Sequence, residues 1–112
     1  MADGPEIFAA DWGTTNLRAY AVGADGAILA RAELEKGVNA IPREAFAPVF
    51  QAVLGAWLTA SPETPVLICG MAGSRQGWIE TPYAPCPARL SDVAALAVKA
   101  DVPHPGGVFL LP

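Results

Sequence analysis

The segment IFAADWGTTNLRAYAV, residues 7–22, decides the fold of this chain. Its apolar beginning predicts a buried strand, and the alternation from Leu17 to Val22 predicts an antiparallel partner. Gly13 to Asn16 would form the turn between the two strands, with Asp11 placed just before it. A carboxylate beside a small, hydroxyl-rich turn is suited to holding a metal-bound triphosphate.

Each residue of this motif has a predicted role. Gly13 lets the backbone come close to an anion, and Thr14, Thr15 and Asn16 add short donors to the amides that a tight turn exposes. Asp11 is placed to hold magnesium, directly or through water. The alternative is a plain hairpin whose aspartate caps the turn. Because short motifs often match by chance, this stretch alone leaves both interpretations open.

Composition narrows the class of protein. The length of 112 residues allows one domain, and the 53% hydrophobic content is enough for a packed core. The net charge is −4 and the seven Lys and Arg residues are scattered, which argues against nucleic acid or anionic lipid as partners. The N-terminus lacks the pattern of a signal peptide, and the run from Ala45 to Ala60 is too short to cross a membrane. We therefore expect a cytoplasmic protein.

The two cysteines do not predict a disulfide framework. Cys69 falls within an apolar strand pattern and is expected in the core, whereas Cys86 falls in a proline-rich loop and has no predicted role. His104 lies between two prolines and is expected to be a loop residue rather than a catalyst. Neither a cysteine- and histidine-rich metal cage nor a Ser-His-Asp triad is suggested by the spacing.

The remaining pattern predicts strands and helices in the order strand, strand, strand, helix, strand, helix, strand. The predicted strands are Glu6 to Trp12, Leu17 to Gly23, Ala27 to Gly37, Val66 to Cys69 and Val108 to Leu111. An apolar stripe from Phe46 to Leu58 predicts the first helix, and Ser91 to Ala100 the second, with Ser91 as N-cap. This order fits an α/β fold with a five-stranded mixed sheet of the ribonuclease-H-like or actin-like type better than a Rossmann fold.

In such a sheet the strand ending at Cys69 lies parallel to the first strand. Asp11 and its turn should then face the loop from Gly70 to Trp78 across one crevice, where open α/β sheets tend to bind ligands. In that loop Gly73 permits close backbone approach, Ser74 offers a hydroxyl, and Arg75 could pair with a carboxylate or phosphate. Trp78 could form the wall of a sugar site. The alternatives are that Trp78 fills the core and that Arg75 is a solvated charge.

The sequence resembles the 2-dehydro-3-deoxygalactonokinase family, also known as 2-keto-3-deoxygalactonate kinases, within the actin-like sugar kinase superfamily. Three stretches carry the resemblance: DWGTTNLRA at 11–19, GMAGS at 70–74 with Gly77-Trp78, and Pro82-Tyr83 with Pro87-Ala88. By this resemblance, Asp11 and Gly13 to Asn16 correspond to the first phosphate motif, and Arg18 is the basic residue just beyond the turn. The 70–78 segment would lie on the sugar-acid side of the cleft.

The resemblance implies ATP and Mg²⁺ as cofactors and phosphorylation of 2-dehydro-3-deoxy-D-galactonate to its 6-phosphate. It also implies two domains, with the adenosine-binding glycines, the second phosphate motif and the catalytic base beyond Pro112. Residues 1–112 would then be an incomplete N-terminal domain that is inactive alone and prone to self-association, its partners being the sugar acid, ATP and the second domain. The alternative is a non-catalytic nucleotide- or sugar-binding module.

Overall fold

In the computed structural model, residues 4–82 and 89–112 can be described. Within them lie six strands: β1 (Ile7–Trp12), β2 (Leu17–Val22), β3 (Ile28–Leu34), β4 (Val66–Cys69), β5 (Val98–Lys99) and β6 (Val108–Leu110). The α-helices are α1 (Phe46–Ala60) and α2 (Leu90–Ala95), and single 3₁₀ turns occur at Val38–Ala40, Arg43–Ala45 and Met71–Gly73. Cys86 and most of the predicted Pro82-Tyr83 and Pro87-Ala88 motif fall outside the described residues.

The strands form one mixed sheet in the order β3-β2-β1-β4-β6-β5. β1, β2 and β3 pair antiparallel, while β1, β4 and β6 run parallel. The prediction of a mixed sheet is therefore confirmed, but the count of five strands is wrong. The sixth strand, β5, pairs antiparallel with β6 at the sheet edge.

The error arises at the predicted helix Ser91 to Ala100. α2 ends at Ala95, and Val98 then pairs with Leu110 in the sheet. A two-residue strand is too short to show a period of its own, so the pattern cannot separate it from a last helical turn. The predicted N-cap Ser91 is also wrong, because the helix is capped at Arg89, whose backbone N–H donates to the Asp92 carboxylate at 2.9 Å.

The helix α1 covers one face of the sheet, as its apolar stripe predicts. Its buried residues recur every four positions, at Phe46, Phe50, Leu54 and Leu58. They pack with buried strand residues of the same face, namely Phe8, Ala10, Trp12, Leu17, Val66, Ile68, Val108 and Leu110. Burial of each large side chain contributes about 1.5–3 kcal/mol, so this layer fixes which face of β1 and β4 points inward.

Strand β3 is the edge strand next to β2, and its alternation is partly as predicted. Ala30, Ala32 and Leu34 are half-buried, with exposed Arg31 and Glu33 between them. Ile28 was predicted on the same face as Ala30, yet it is 47% exposed. A register irregularity between Ala21 and Val22 accounts for this difference, because a bulge shifts the pairing at the end of the strand.

His104 lies in the loop before β6, as expected. It is buried, and its Nε2 lies 2.6 Å from the carbonyl oxygen of Thr64, which ties two loops together. The helices of the described residues include none that is long and apolar enough to cross a bilayer.

Candidate functional site

The C-terminal ends of the adjacent strands β1 and β4 lie side by side, at the edge of the sheet where these parallel strands end. Asp11 is in register with Cys69, and the chain after Cys69 turns sharply at Gly70, which has φ +97°. A Cβ added at Gly70 would lie 2.8 Å from the Trp12 carbonyl oxygen and 3.0 Å from Oδ1 of Asp11. Glycine is therefore required both for the backbone conformation and for the close approach. The predicted juxtaposition of Asp11 with the loop that starts at Gly70 is confirmed.

A row of polar residues crosses the sheet at this edge, on the face opposite α1. The register aligns Asp11 with Arg18 on one side and with Cys69 on the other, and Arg18 with Glu33. The Arg18 guanidinium does not pair with Asp11 but lies 3.4 Å from the Glu33 carboxylate. Asp11 is exposed, and within residues 4–82 and 89–112 its carboxylate has no ion-pair partner. It is therefore available to a cation.

Cys69 belongs to this row and not to the core, so the prediction of a core cysteine is wrong. Val66 and Ile68 take the inward positions of β4, which leaves Cys69 on the outer face. Its thiol donates to the Ala10 carbonyl oxygen at 3.5 Å. Burial raises the pKa of this thiol, and the negative charge of Asp11 raises that pKa further.

We term residues Gly13–Asn16 the threonine turn. Its ends are closed by the Gly13 N–H, which donates to the Asn16 carbonyl oxygen at 3.0 Å, and the side-chain Nδ2 of Asn16 donates to Oγ1 of Thr15 at 3.1 Å. Thr14 and Thr15 are exposed. A Cβ at Gly13 would meet only the Asn16 carbonyl oxygen, at 4.0 Å. Packing within the described chain therefore does not explain this glycine, whereas the approach of a ligand would.

Three of the four carbonyl groups of the threonine turn are engaged by one neighbouring segment. Those of Gly13, Thr14 and Thr15 accept hydrogen bonds from the N–H groups of Val38, Asn39 and Gly37, at 2.9, 3.1 and 3.1 Å. A trans peptide is planar, with its N–H directed opposite to its C=O. The amides of Thr14, Thr15 and Asn16 must therefore point away from residues 37–39. No acceptor for these three amides is found in the described part of the chain.

The packing of residues 36–39 against the core shows to which side of the sheet these amides point. Val38 is buried, and the Trp12 indole Nε1 donates to the Lys36 carbonyl oxygen at 3.0 Å, so residues 36–39 lie on the α1 side of the sheet. The free amides then face the other side, which is the side of Asp11. Successive amides without acceptors, as these are within the described residues, are the kind of group that binds an anion.

We term residues Gly70–Trp78 the glycine loop, and its polar groups are largely used within the loop itself. The Ser74 hydroxyl donates to the Met71 carbonyl oxygen at 2.6 Å, and the Trp78 N–H to that of Ala72 at 2.8 Å. Gly73 is buried; a Cβ there would lie 2.7 Å from the Leu111 carbonyl oxygen. Gly73 therefore packs the loop against the residue that follows β6, and any contact with a ligand would be through other residues of the loop.

Trp78 joins the glycine loop to the aromatic core. Its ring centroid lies 5.6 Å from that of Phe50, 6.0 Å from Trp12 and 6.4 Å from Phe46. This packing favours the alternative in which Trp78 fills the core over a role as the wall of a sugar site. Arg75 is exposed instead, and its carbonyl oxygen accepts a hydrogen bond from Arg43 at 2.9 Å. The structure thus anchors the Arg75 backbone and leaves its charge at the surface.

The acidic side chains of the described residues do not form a protein cage for a metal ion. Within the described residues, no group of three or more His, Cys, Asp or Glu side chains could hold a metal ion. Mg²⁺ typically keeps several waters and binds through one or two carboxylates together with substrate phosphates. Asp11 alone at the sheet edge is compatible with that mode.

Sequence reasoning missed two contributors to the site. The first is the segment 36–39, whose backbone N–H groups bond to the carbonyl groups of the threonine turn. The second is Thr81, whose hydroxyl and N–H both donate to the Gly73 carbonyl oxygen, at 3.1 and 2.8 Å. In the sequence, the one indication of the contact between residues 36–39 and the turn is the glycine at position 37, and a glycine there is equally typical of the end of a strand.

Comparison with known proteins gives consistent matches. Residues 11–112 match the 2-keto-3-deoxy-galactonokinase family. A probable 2-dehydro-3-deoxygalactonokinase of Rhizobium meliloti (strain 1021) is 39% identical over 89 residues, which is 80% of this chain. The 2-dehydro-3-deoxygalactonokinase of Escherichia coli (strain K12) is 38% identical over 85 residues, which is 76% of this chain.

A solved crystal structure is also similar. It is that of a candidate 2-dehydro-3-deoxygalactonokinase from Sinorhizobium meliloti, with a TM-score of 0.80 and 35% sequence identity over 95% of this chain. The matches cover 29% and 28% of the two curated relatives and 34% of the crystallised chain. The 112 residues thus correspond to about a third of these proteins or less.

Proposed function

We propose that this chain forms part of a kinase for 2-dehydro-3-deoxy-D-galactonate. The basis is that the chain belongs to the 2-keto-3-deoxy-galactonokinase family. The kinase would transfer the γ-phosphate of ATP to the primary hydroxyl and yield the 6-phosphate. The chain would supply the first phosphate motif and part of the sugar-acid site of an N-terminal domain. The strand order β3-β2-β1-β4-β6 supports an actin-like, ribonuclease-H-like fold for this domain, with β5 added at the edge.

The observation that carries this proposal is the orientation of the threonine turn. Within the described residues, the backbone amides of Thr14, Thr15 and Asn16 have no acceptor and the carboxylate of Asp11 has no ion-pair partner. The planarity of the peptide groups places these amides on the side of the sheet that carries Asp11. Amides without internal partners are costly unless water or a ligand satisfies them, and hydrogen bonds to an ionised acceptor are the stronger kind. A metal-bound phosphate satisfies both the amides and the carboxylate.

Mg²⁺ is essential to this arrangement because Asp11 and a triphosphate repel each other. Asp11 would hold the ion, which when bound would supply positive charge to offset this repulsion and the charge that develops during phosphoryl transfer. Arg18 lies just beyond the turn and is paired with Glu33; exchange of this partner for a phosphate oxygen would bring its charge to the site. In-line transfer needs little covalent chemistry from the protein, so positioning and charge neutralisation are the expected contributions of these residues.

The glycine loop supports a second part of the proposal. The exposed guanidinium of Arg75 could pair with the carboxylate of the sugar acid, and the Ser74 hydroxyl could exchange its bond to Met71 for one to a substrate hydroxyl. Gly73 and Trp78 would act by holding this loop. The general base would come from outside these 112 residues, and a cytoplasmic location is part of the same proposal.

The test is Asp11→Asn in the complete gene product that carries this chain. We expect turnover at ordinary magnesium to fall about a hundredfold or more, because metal-ion stabilisation of phosphoryl transfer amounts to several kcal/mol. Asp25→Asn is the matched control. It removes the same charge from an exposed turn, and the asparagine can keep the bond in which Oδ1 accepts the Ala27 N–H at 3.0 Å.

The readout is sugar-acid-dependent release of ADP, together with calorimetric binding of Mg–ATP. Near-normal turnover of Asp11→Asn would show that Asp11 is only a turn residue. Binding of Mg–ATP by the unaltered gene product without sugar-acid-dependent turnover would overturn the kinase and favour a non-catalytic binding module. The isolated 112-residue chain is expected to release no ADP above background, since half a cleft cannot hold nucleotide and acceptor in line.

A further inference from the structure

We propose that Gly37 is a positioning residue for the threonine turn, an inference that rests on the proposed function of that turn as a phosphate site. It lies 21 or more positions beyond the turn in sequence and has no side chain to offer a ligand. Its contribution is to let residues 36–39 pass directly behind the turn, so that the free amides keep one fixed direction.

The contact behind the turn is extensive for so short a segment. Three consecutive N–H groups, of Gly37, Val38 and Asn39, donate to three consecutive carbonyl groups of the turn. The segment itself is fixed at one end by the bond from Trp12 to Lys36 and in its middle by the buried side chain of Val38. The direction of the three peptide planes is therefore set by an element that is anchored in the core.

Glycine at position 37 is required for space and not for backbone conformation. Its φ is −77°, which any residue adopts. A Cβ at this position, however, would collide with the carbonyl carbon and oxygen of Thr14 and with the backbone nitrogen of Thr15. These are backbone atoms, which cannot rotate away as the end of a flexible side chain can. Alanine at position 37 must therefore displace the turn or break the bond from the Gly37 N–H to Thr15.

The displacement acts on the atoms that would contact the phosphate. The clashing atoms of Thr14 and Thr15 belong to the peptide plane whose N–H is the middle one of the three free amides. Preorganised donors lose much of their effect when their direction changes, because the ligand can no longer reach all of them at once. Loss of one well-directed bond to a charged oxygen corresponds to binding that is weaker by about tenfold.

The experiment is a titration of the ¹⁵N-labelled 112-residue chain with magnesium tripolyphosphate, followed by ¹H–¹⁵N correlation spectra. In the unaltered chain we expect the Thr14, Thr15 and Asn16 signals to shift most. Gly37→Ala should raise the midpoint of these shifts about tenfold or more while the signals of β4 and β6 stay in place. Gly55→Ala is the matched control, since a Cβ there would meet only the flexible Gln51 side chain, at 3.5 Å.

A second pair of variants covers the case in which Gly37→Ala fails to fold. Trp12→Phe keeps an aromatic ring in the core and removes the bond to Lys36, whereas Trp57→Phe changes a tryptophan for which no such bond is found in the described chain. We expect the first to weaken binding and the second to leave the midpoint unchanged. The role of Gly37 would be overturned if each of Gly37→Ala and Trp12→Phe that folds has the same midpoint as the unaltered chain. Absence of any shift at the turn in the unaltered chain would instead overturn the phosphate site itself.

Discussion

The threonine turn and the glycine loop meet at one sheet edge, yet they are built in opposite ways. In the threonine turn the side chains of Thr14 and Thr15 are exposed, and three amides have no acceptor in the described chain. In the glycine loop the Ser74 hydroxyl and the Trp78 amide are bonded within the loop, and Gly73 is buried. Within the described residues, the first region presents backbone amides without acceptors, whereas most of the polar groups named in the second region are bonded inside the loop.

Under the proposed function, we expect this difference to separate ligand binding from stability in the two regions. The glycine loop is held by burial and by internal hydrogen bonds, so most of its residues should contribute to the free energy of unfolding. The threonine turn is held by residues 36–39 through backbone bonds, so its side chains are free to act on a ligand at little cost to the fold. Substitutions in the two regions should therefore have different signatures.

The largest difference is expected for Trp78→Ala against Thr14→Ala. Trp78 contacts three aromatic rings of the core, and truncation should lower the free energy of unfolding by about 3 kcal/mol or more. Thr14 is exposed and should change that free energy by no more than about 0.5 kcal/mol. Urea unfolding followed by tryptophan fluorescence measures both. Similar losses in the two variants would contradict the proposed division between the regions.

A smaller effect is expected for Thr81→Val. The buried Thr81 hydroxyl donates to the Gly73 carbonyl oxygen, and its removal leaves that buried acceptor with one partner fewer, at a cost of about 1–2 kcal/mol. Thr59→Val is the matched control, because the exposed Thr59 hydroxyl makes a similar bond to the Gly55 carbonyl oxygen, at 3.0 Å. The same urea experiment applies. A loss for Thr59→Val as large as that for Thr81→Val would mean that burial does not distinguish the two bonds.

Much of the fold could be predicted from the sequence because its signals are local. Apolar runs located β1 and β4, alternation located β2, and the period of apolar residues located α1 over the residues that are buried. β5 could not be predicted, since two residues have no period and Val98 is a strand residue only through its pairing with Leu110. Ile28 failed for a similar reason, because a bulge against β2 shifts its register.

The candidate site divides along the same line. Asp11 and Gly70 could be placed at one edge because parallel strands end on the same side, a rule that depends on topology alone. The role of Gly37 could not, since its need for glycine comes from a contact with a turn far away in sequence. Trp78 and Cys69 show the limit of predicting the position of a single side chain. An indole suits a sugar site and a hydrophobic core equally well. A shift of one position along β4 decides whether a thiol lies on the inner or the outer face of the sheet.

The smallest predicted effect tests how closely the two regions approach each other. Burial is the larger cause of the raised pKa of Cys69, and the carboxylate of Asp11 is the second. In a Cys86→Ser background, Asp11→Asn should lower this pKa and so speed alkylation by iodoacetamide at pH 8 by about two- to threefold, because the thiolate is the reactive form. Asp25→Asn should leave the alkylation rate unchanged.

The rate increase caused by Asp11→Asn should shrink in 1 M salt, which screens the carboxylate charge but does not change the burial of the thiol. It should vanish at a pH well above the pKa of Cys69, where the thiol is ionised with either residue at position 11. An unchanged rate for Asp11→Asn at pH 8 would mean that in solution the end of β1 lies farther from the start of the glycine loop than the parallel register of β1 and β4 places it.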